Sequence, residues 1–82
     1  MYYLYILECA DGTLYTGITT DLARRVEEHN GSEKGAKYTR TRRPVKLCYS
    51  EPCEDRSSAS KREREVKKMT RVQKLRLIKE SL

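Results

Sequence analysis

Arg25 and His29 stand four residues apart, so any helix containing both sets a cation beside a titratable ring on one side. Both border Leu22 and Val26, the pair that would face inward. Glu63 lies four residues after Ala59 and three before Val66, which aligns a carboxylate with apolar residues that should face the core. A charge there is costly unless it meets a cation or a metal, which makes Glu63 the most informative acid of the chain; Glu65 points elsewhere. Tyr5 and Tyr15 fall in two β-forming runs, and Gly17 lets something approach the second run closely. Either hydroxyl could serve chemistry. Each residue taken alone also has an ordinary structural use, since tyrosines pack in sheets, an Arg beside a His decorates surfaces, and a Glu pairs with Lys. Taken together, a cation, an imidazole, a carboxylate and two phenols form a set suited to moving protons and stabilising negative charge. A zinc site is disfavoured, because His29 is the only histidine and the Cys48 to Cys53 spacing matches no zinc knuckle.

The elements that must position these residues follow from local pattern. Tyr2 to Cys9 and Leu14 to Ile18 are dense in β-formers, and Asp11-Gly12 between them signals a hairpin. Thr20 or Asp21 can cap a helix over about Leu22 to Asn30, inward at Leu22, Val26 and His29, with Gly31 placed to end it in a left-handed conformation. From Gly31 to Pro44 no apolar period is visible, which predicts a long connecting loop. Val45 to Glu51 alternates as a third strand that Pro52 should stop. Ser60 with Glu63 has the capping-box pattern, although Asp55, Ser57 or Ser58 could start that helix earlier. Its inner face is Ala59, Val66 and Met69. Thr70 with Gln73 repeats the pattern before a last helix striped by Val72, Leu75, Ile78 and Leu82. The expected order is β-β-α-β-α-α, an α+β fold of one domain over residues 1–82.

Charge narrows the partners. The chain has 82 residues and a formal net charge of +6, but the distribution is uneven. Residues 1–33 hold two bases against six acids, whereas residues 34–46 hold Lys34, Lys37, Arg40, Arg42, Arg43 and Lys46 without one acid. Six neighbouring cations repel one another unless a polyanion neutralises them, and nucleic-acid phosphate is the obvious candidate. The plain alternative is a solvated surface loop. All six aromatic residues are tyrosine, so the core is built from aliphatic side chains and Tyr rings. The longest apolar run, Tyr2 to Leu7, is far shorter than the roughly 20 residues of a membrane-spanning helix. No secretory leader pattern opens the chain. Three cysteines make an odd count, so free thiols and a cytoplasmic setting are expected.

Tyr3-Leu4-Tyr5, followed ten residues on by Tyr15-Thr16-Gly17, resembles the two motifs that name the GIY-YIG (URI) endonuclease superfamily. Asp21-Leu22-x-x-Arg25 with His29-Asn30-Gly31 resembles its first-helix motif. Lys37-Tyr38-Thr39 with Arg43-Pro44 is similar to its small stand-alone branch, and Ala59-x-x-x-Glu63 to its metal helix. Tyr3 stands where Gly is usual, Ile18 where some branches carry Lys, and the closing helix lacks the Asn of many members.

The resemblance implies a three-stranded antiparallel sheet flanked by helices, hydrolysing phosphodiesters with one divalent cation, Mg²⁺ or Mn²⁺. Glu63 matches the metal-binding glutamate and Arg25 the arginine that steadies the transition state. Tyr5 and Tyr15 match the motif tyrosines, one of which activates or orients water, and His29 matches a Tyr or His that assists them. A free tyrosine has a pKa near 10, so a tyrosine base must be lowered by the metal or a cation, or pass its proton to His29. The expectation is a structure-selective DNA endonuclease of repair or recombination, gripping DNA in preference to RNA through Lys34 to Lys46, with room for a protein partner that supplies specificity. The alternative is a nucleic-acid-binding module on the same scaffold that cuts poorly or only with a partner.

Overall fold

A computed structural model describes residues 1–31 and 34–81. Strands β1 (Tyr2–Glu8) and β2 (Leu14–Thr19) are followed by helices α1 (Leu22–Gly31) and α2 (Lys37–Arg40), strand β3 (Lys46–Cys53), and helices α3 (Arg56–Lys67) and α4 (Arg71–Glu80). The α+β architecture is the expected one, with one addition: the basic loop contains the short helix α2. Four residues are too few to impose an apolar period, so nothing in the sequence marks it.

The strands form one antiparallel sheet in the order β2-β1-β3. The central strand explains the unbroken apolar run of the N-terminus. Tyr5, Leu7 and Cys9 point to one face, where they meet Val45 and the α1 residues Leu22 and Val26. Leu4 and Ile6 point to the other and pack with Val66, Met69, Leu77 and Ile78. A strand covered on both faces has no polar side to alternate with.

Local chemistry fixes the connections. Gly12 adopts φ +83° in the β1–β2 turn, and the Asp11 carboxylate accepts from the Thr13 amide at 3.1 Å and the Thr13 hydroxyl at 2.6 Å. Of the Asp-Gly pair only Gly12 needs the left-handed region. Asp55 is the N-cap of α3, accepting from the Ser58 amide at 2.8 Å, so this helix begins at the earliest of the predicted positions. Thr70 and Gln73 form the expected capping box of α4.

Three expectations are corrected. Gly31 is the last residue of α1 and does not take the left-handed conformation expected to end the helix; among the described glycines only Gly12 has a positive φ. Strand β3 runs through Pro52 to Cys53, because it is an edge strand and can lack a ladder donor. The predicted stripe of α4 is only partly inward: Val72 and Leu75 are 64% and 41% exposed, while Leu77 and Ile78 reach the core. The core is engaged by the C-terminal half of α4 and by Met69 just before it. Leu82 lies outside the described residues.

Candidate active site

The site is assembled on the α1 face of the sheet. Tyr5 and Gly17 are direct partners across β1 and β2, and a Cβ at position 17 would lie 2.5 Å from the Tyr5 hydroxyl oxygen. What approaches the second strand is therefore the Tyr5 phenol. From α1, Arg25 and His29 both reach that oxygen: His29 Nε2 is 2.9 Å from it, and Arg25 Nε donates to it at 3.4 Å. The four-residue spacing sets cation and ring side by side, as expected. Tyr15 meets His29 edge-on with ring centroids 5.2 Å apart and stacks on Tyr38 at 5.7 Å. Among the described residues none hydrogen-bonds to the Tyr15 hydroxyl.

Burial sets the electrostatics. Tyr5 is almost completely buried, and loss of solvent pushes its pKa above the usual 10 despite the opposing pull of Arg25; Tyr15 and Glu63 add to the rise. His29 is fully buried and its pKa falls to about 4, first through desolvation and then through the Arg25 and Arg43 charges, which outweigh Glu28. The ring is neutral at physiological pH. Burial would lower the Arg25 pKa, but hydrogen bonds to Tyr5 and Glu28 prevail and raise it. Arg25 is held in place by Glu28 Oε1 at 3.0 Å and the Lys34 carbonyl at 2.7 Å.

Glu63 occupies the core edge that its spacing predicted. Its side chain is 24% exposed and one oxygen pairs with Lys67 Nζ at 3.5 Å, one helical turn on. The cation it meets is thus an exposed lysine of its own helix. Among the described residues no group of three His, Cys, Asp or Glu side chains could hold an ion. A single carboxylate nevertheless suits Mg²⁺, which keeps several waters and binds through one or two carboxylates plus substrate phosphate oxygens. The half-buried Glu63 carboxylate is compatible with binding of that kind.

The basic segment divides into two kinds of residue. Lys37 and Arg40 are exposed on α2, and Lys34 and Lys46 are exposed at either side of it. Lys46 lies 3.8 Å from Glu8. Arg42 and Arg43 differ from them in exposure, being half-buried. Arg42 forms an ion pair with Asp11 at 3.1 Å without the alignment of a hydrogen bond, donates to the Tyr38 carbonyl at 2.8 Å, and lies 4.0 Å over the Tyr38 ring. Arg43 donates to the His29 carbonyl.

Three residues whose contacts the sequence does not give complete the site. Thr39 is fully buried, with its hydroxyl 2.8 Å from His29 Nδ1. Gly35 packs on α1 so closely that a Cβ would lie 2.6 Å from the Glu28 carbonyl oxygen and 2.8 Å from His29 Cα. Asn30 clamps the start of β3, donating to the Val45 carbonyl at 2.9 Å and accepting from its amide at 2.7 Å. Thr39 and Asn30 stand in the Lys37-Tyr38-Thr39 and His29-Asn30-Gly31 motifs, but no period in the sequence gives their contacts, and Gly35 has no place in a helix or strand pattern.

This constellation on a β2-β1-β3 sheet defines a class. The model of the GIY-YIG catalytic domain matches residues 1–76, and the chain belongs to the GIY-YIG family. Such domains are in general those of divalent-metal-dependent endonucleases with nucleic-acid substrates. Its relatives carry the name UPF0213. One from Desulfotalea psychrophila is 60% identical over 98% of this chain and 73% of its own length. Another, from Staphylococcus aureus, is 56% identical over 96% of this chain and 95% of its own. Two solution NMR structures share the fold. A UPF0213 protein of Bacillus halodurans has 46% identity, covers 96% of this chain and 84% of its own, and superposes with TM-score 0.61. A protein of E. faecalis has 49% identity, covers 95% and 82%, and superposes with TM-score 0.65.

Proposed function

We propose that the protein is a divalent-metal-dependent endonuclease that hydrolyses phosphodiester bonds in DNA, chooses its substrates by structure rather than base sequence, and acts in cytoplasmic DNA repair or recombination. The observation that supports this most is the convergence of Arg25 and His29 on the buried Tyr5 hydroxyl, with Tyr15 edge-on to the same His29 ring.

Hydrolysis of a phosphodiester needs an in-line water, relief of charge on the non-bridging oxygens, and stabilisation of the leaving oxygen. Arg25 brings a permanent cation whose side chain is 25% exposed, so it can meet phosphate while remaining fixed by Glu28. Tyr5, with its raised pKa, keeps its proton at neutral pH and serves as a donor. Tyr15 is half-buried and its hydroxyl stands outside the Tyr5 network, so it is the phenol that borders the attacking water. Glu63 would hold Mg²⁺ or Mn²⁺, and a divalent cation there would supply positive charge for phosphate and lower the pKa of water.

Lys34, Lys37, Arg40, Arg42, Arg43 and Lys46 provide the phosphate grip, with Arg42 and Arg43 also shaping the segment that carries it. Contacts to phosphate fix position on a strand but carry no sequence information, which favours selection by nucleic-acid shape. A protein partner adds further substrate choice. No helix among the described residues is long and apolar enough to cross a membrane.

Labelled single-stranded, duplex, flap and junction DNAs, incubated with Mg²⁺, Mn²⁺ or EDTA, test the reading. Metal-dependent nicking of one structural class is the expected result. Salt-sensitive binding without any product would instead support the binding-module alternative.

A further inference from the structure

The Tyr5 network contains one proton whose position the chain dictates. A hydroxyl proton rotates and an imidazole proton can sit on either nitrogen, whereas an amide proton lies in its peptide plane. The Ala36 amide points at His29 Nδ1 from 3.4 Å. A proton on Nδ1 would face it directly, so that nitrogen presents its lone pair. Thr39 reinforces the choice, with its hydroxyl 2.8 Å from the same nitrogen. The hydroxyl has a second acceptor in the Ala36 carbonyl at 2.9 Å, so it is the fixed Ala36 amide that sets the lone pair on Nδ1, and the Thr39 proton turns to the ring once that lone pair is presented.

With Nδ1 an acceptor, the proton of the neutral ring sits on Nε2, 2.9 Å from the Tyr5 oxygen. Arg25 donates to that same oxygen. Two donors then occupy the phenol oxygen, and its own proton must turn to a third partner. We infer that Thr39, together with the Ala36 amide, is a positioning residue that holds His29 as the Nε2–H tautomer, so that Tyr5 offers its proton to a phosphate oxygen of the substrate and does not pass it to His29. The final step, donation to phosphate, rests on the nuclease reading; the tautomer does not. Two donors on the phenol oxygen also polarise its O–H, which strengthens the bond it gives.

Among the described residues, the charged and titratable groups around the ring are Tyr5 from β1, Tyr15 from β2, Arg43 from the segment before β3, and Arg25 and Glu28 from its own helix. Both arginines oppose a second ring proton. Near neutral pH the variable is therefore which nitrogen holds the single proton.

Because His29 is the only histidine, long-range ¹H–¹⁵N correlation spectra of the whole chain at pH 7 read its tautomer without ambiguity. The expected spectrum shows an unprotonated Nδ1 and a protonated Nε2. Thr39→Val should raise the Nδ1–H population, and Thr39→Ser should restore the original spectrum. On a cleaved substrate, Thr39→Val should lower kcat about tenfold with little change in KM, the worth of one neutral hydrogen bond. A protonated Nδ1 in the unaltered protein overturns the inference, as does an unchanged tautomer in folded Thr39→Val. If Thr39→Val does not fold, the spectra of the unaltered protein and Thr39→Ser still decide. Should the protein cut no DNA, the nitrogen shifts report the tautomer all the same, so the two readings fail separately.

Discussion

Tyr5 and Gly17 pair across β1 and β2 so closely that the glycine's missing side chain is the space in which the Tyr5 hydroxyl lies. That relationship joins the two tyrosine-containing motifs physically: the glycine of the second makes room for the phenol of the first. The same phenol is then within reach of Arg25 and His29 from α1.

Gly17→Ala places a methyl 2.5 Å from the Tyr5 oxygen and 2.7 Å from the ring carbon that bears it. Tyr5 must swing away from His29 and Arg25. Thermal or urea unfolding should show a loss of about 1–3 kcal/mol, and cleavage should fall more than DNA binding. A variant with full stability and activity would contradict the close packing described.

Gly35→Ala acts on the other side of His29. Its methyl would meet the Glu28 carbonyl oxygen at 2.6 Å, and backbone cannot rotate aside. The segment leading into α2 must lift, taking Ala36 and Thr39 from the imidazole. Crystallography or NMR of the variant should show the Thr39 to His29 contact lengthened beyond hydrogen-bond range, with reduced cleavage.

His29 makes the fold sensitive to acid. Its folded pKa of about 4 lies below the ordinary 6.5, so the unfolded chain takes up the proton first as pH falls. The His29 contribution to stability is complete above pH 6.5 and is lost progressively as pH falls toward 4. The loss should be on the order of 2–3 kcal/mol. Denaturant titrations at pH 7 and pH 4.5 measure it, and His29→Gln should flatten the slope over that window while lowering stability at pH 7.

Much of the fold was legible because the sheet and its helices bury apolar residues with a clear period. The unbroken run at Tyr2 to Leu7, the Asp11-Gly12 turn and the α1 face of Leu22, Val26 and His29 all read directly. The Arg25 and His29 pairing followed from helical spacing alone. The rest depended on tertiary contacts that leave no period. Thr39 reaches His29 only because Gly35 lets the loop press on α1, and no local pattern records that. Val72 and Leu75 fit a stripe but remain exposed, since only the far half of α4 reaches the core. Pro52 reads as a stop, yet an edge strand tolerates it.

The basic residues should separate by the partners they have. Lys37→Ala, on the exposed side of α2, should weaken DNA binding and reduce the salt dependence by about 0.9 in slope, with stability unchanged. Arg42→Ala should do more, because it also removes the ion pair with Asp11 and the contact over Tyr38. Binding titrations across a range of salt, alongside unfolding curves, distinguish the two effects.

The proposed role of Glu63 in holding the metal of a DNA-cleaving site is tested most directly by comparing the intact protein with Glu63→Gln on the same labelled DNA, following binding and cleavage together in Mg²⁺. Glu63→Gln should bind DNA with unchanged affinity and salt dependence while its cleavage falls by a hundredfold or more, on the order of a lost metal or charge-stabilising group. Cleavage that persists undiminished in Glu63→Gln, or an intact protein that binds but cuts no DNA in any metal, would contradict it.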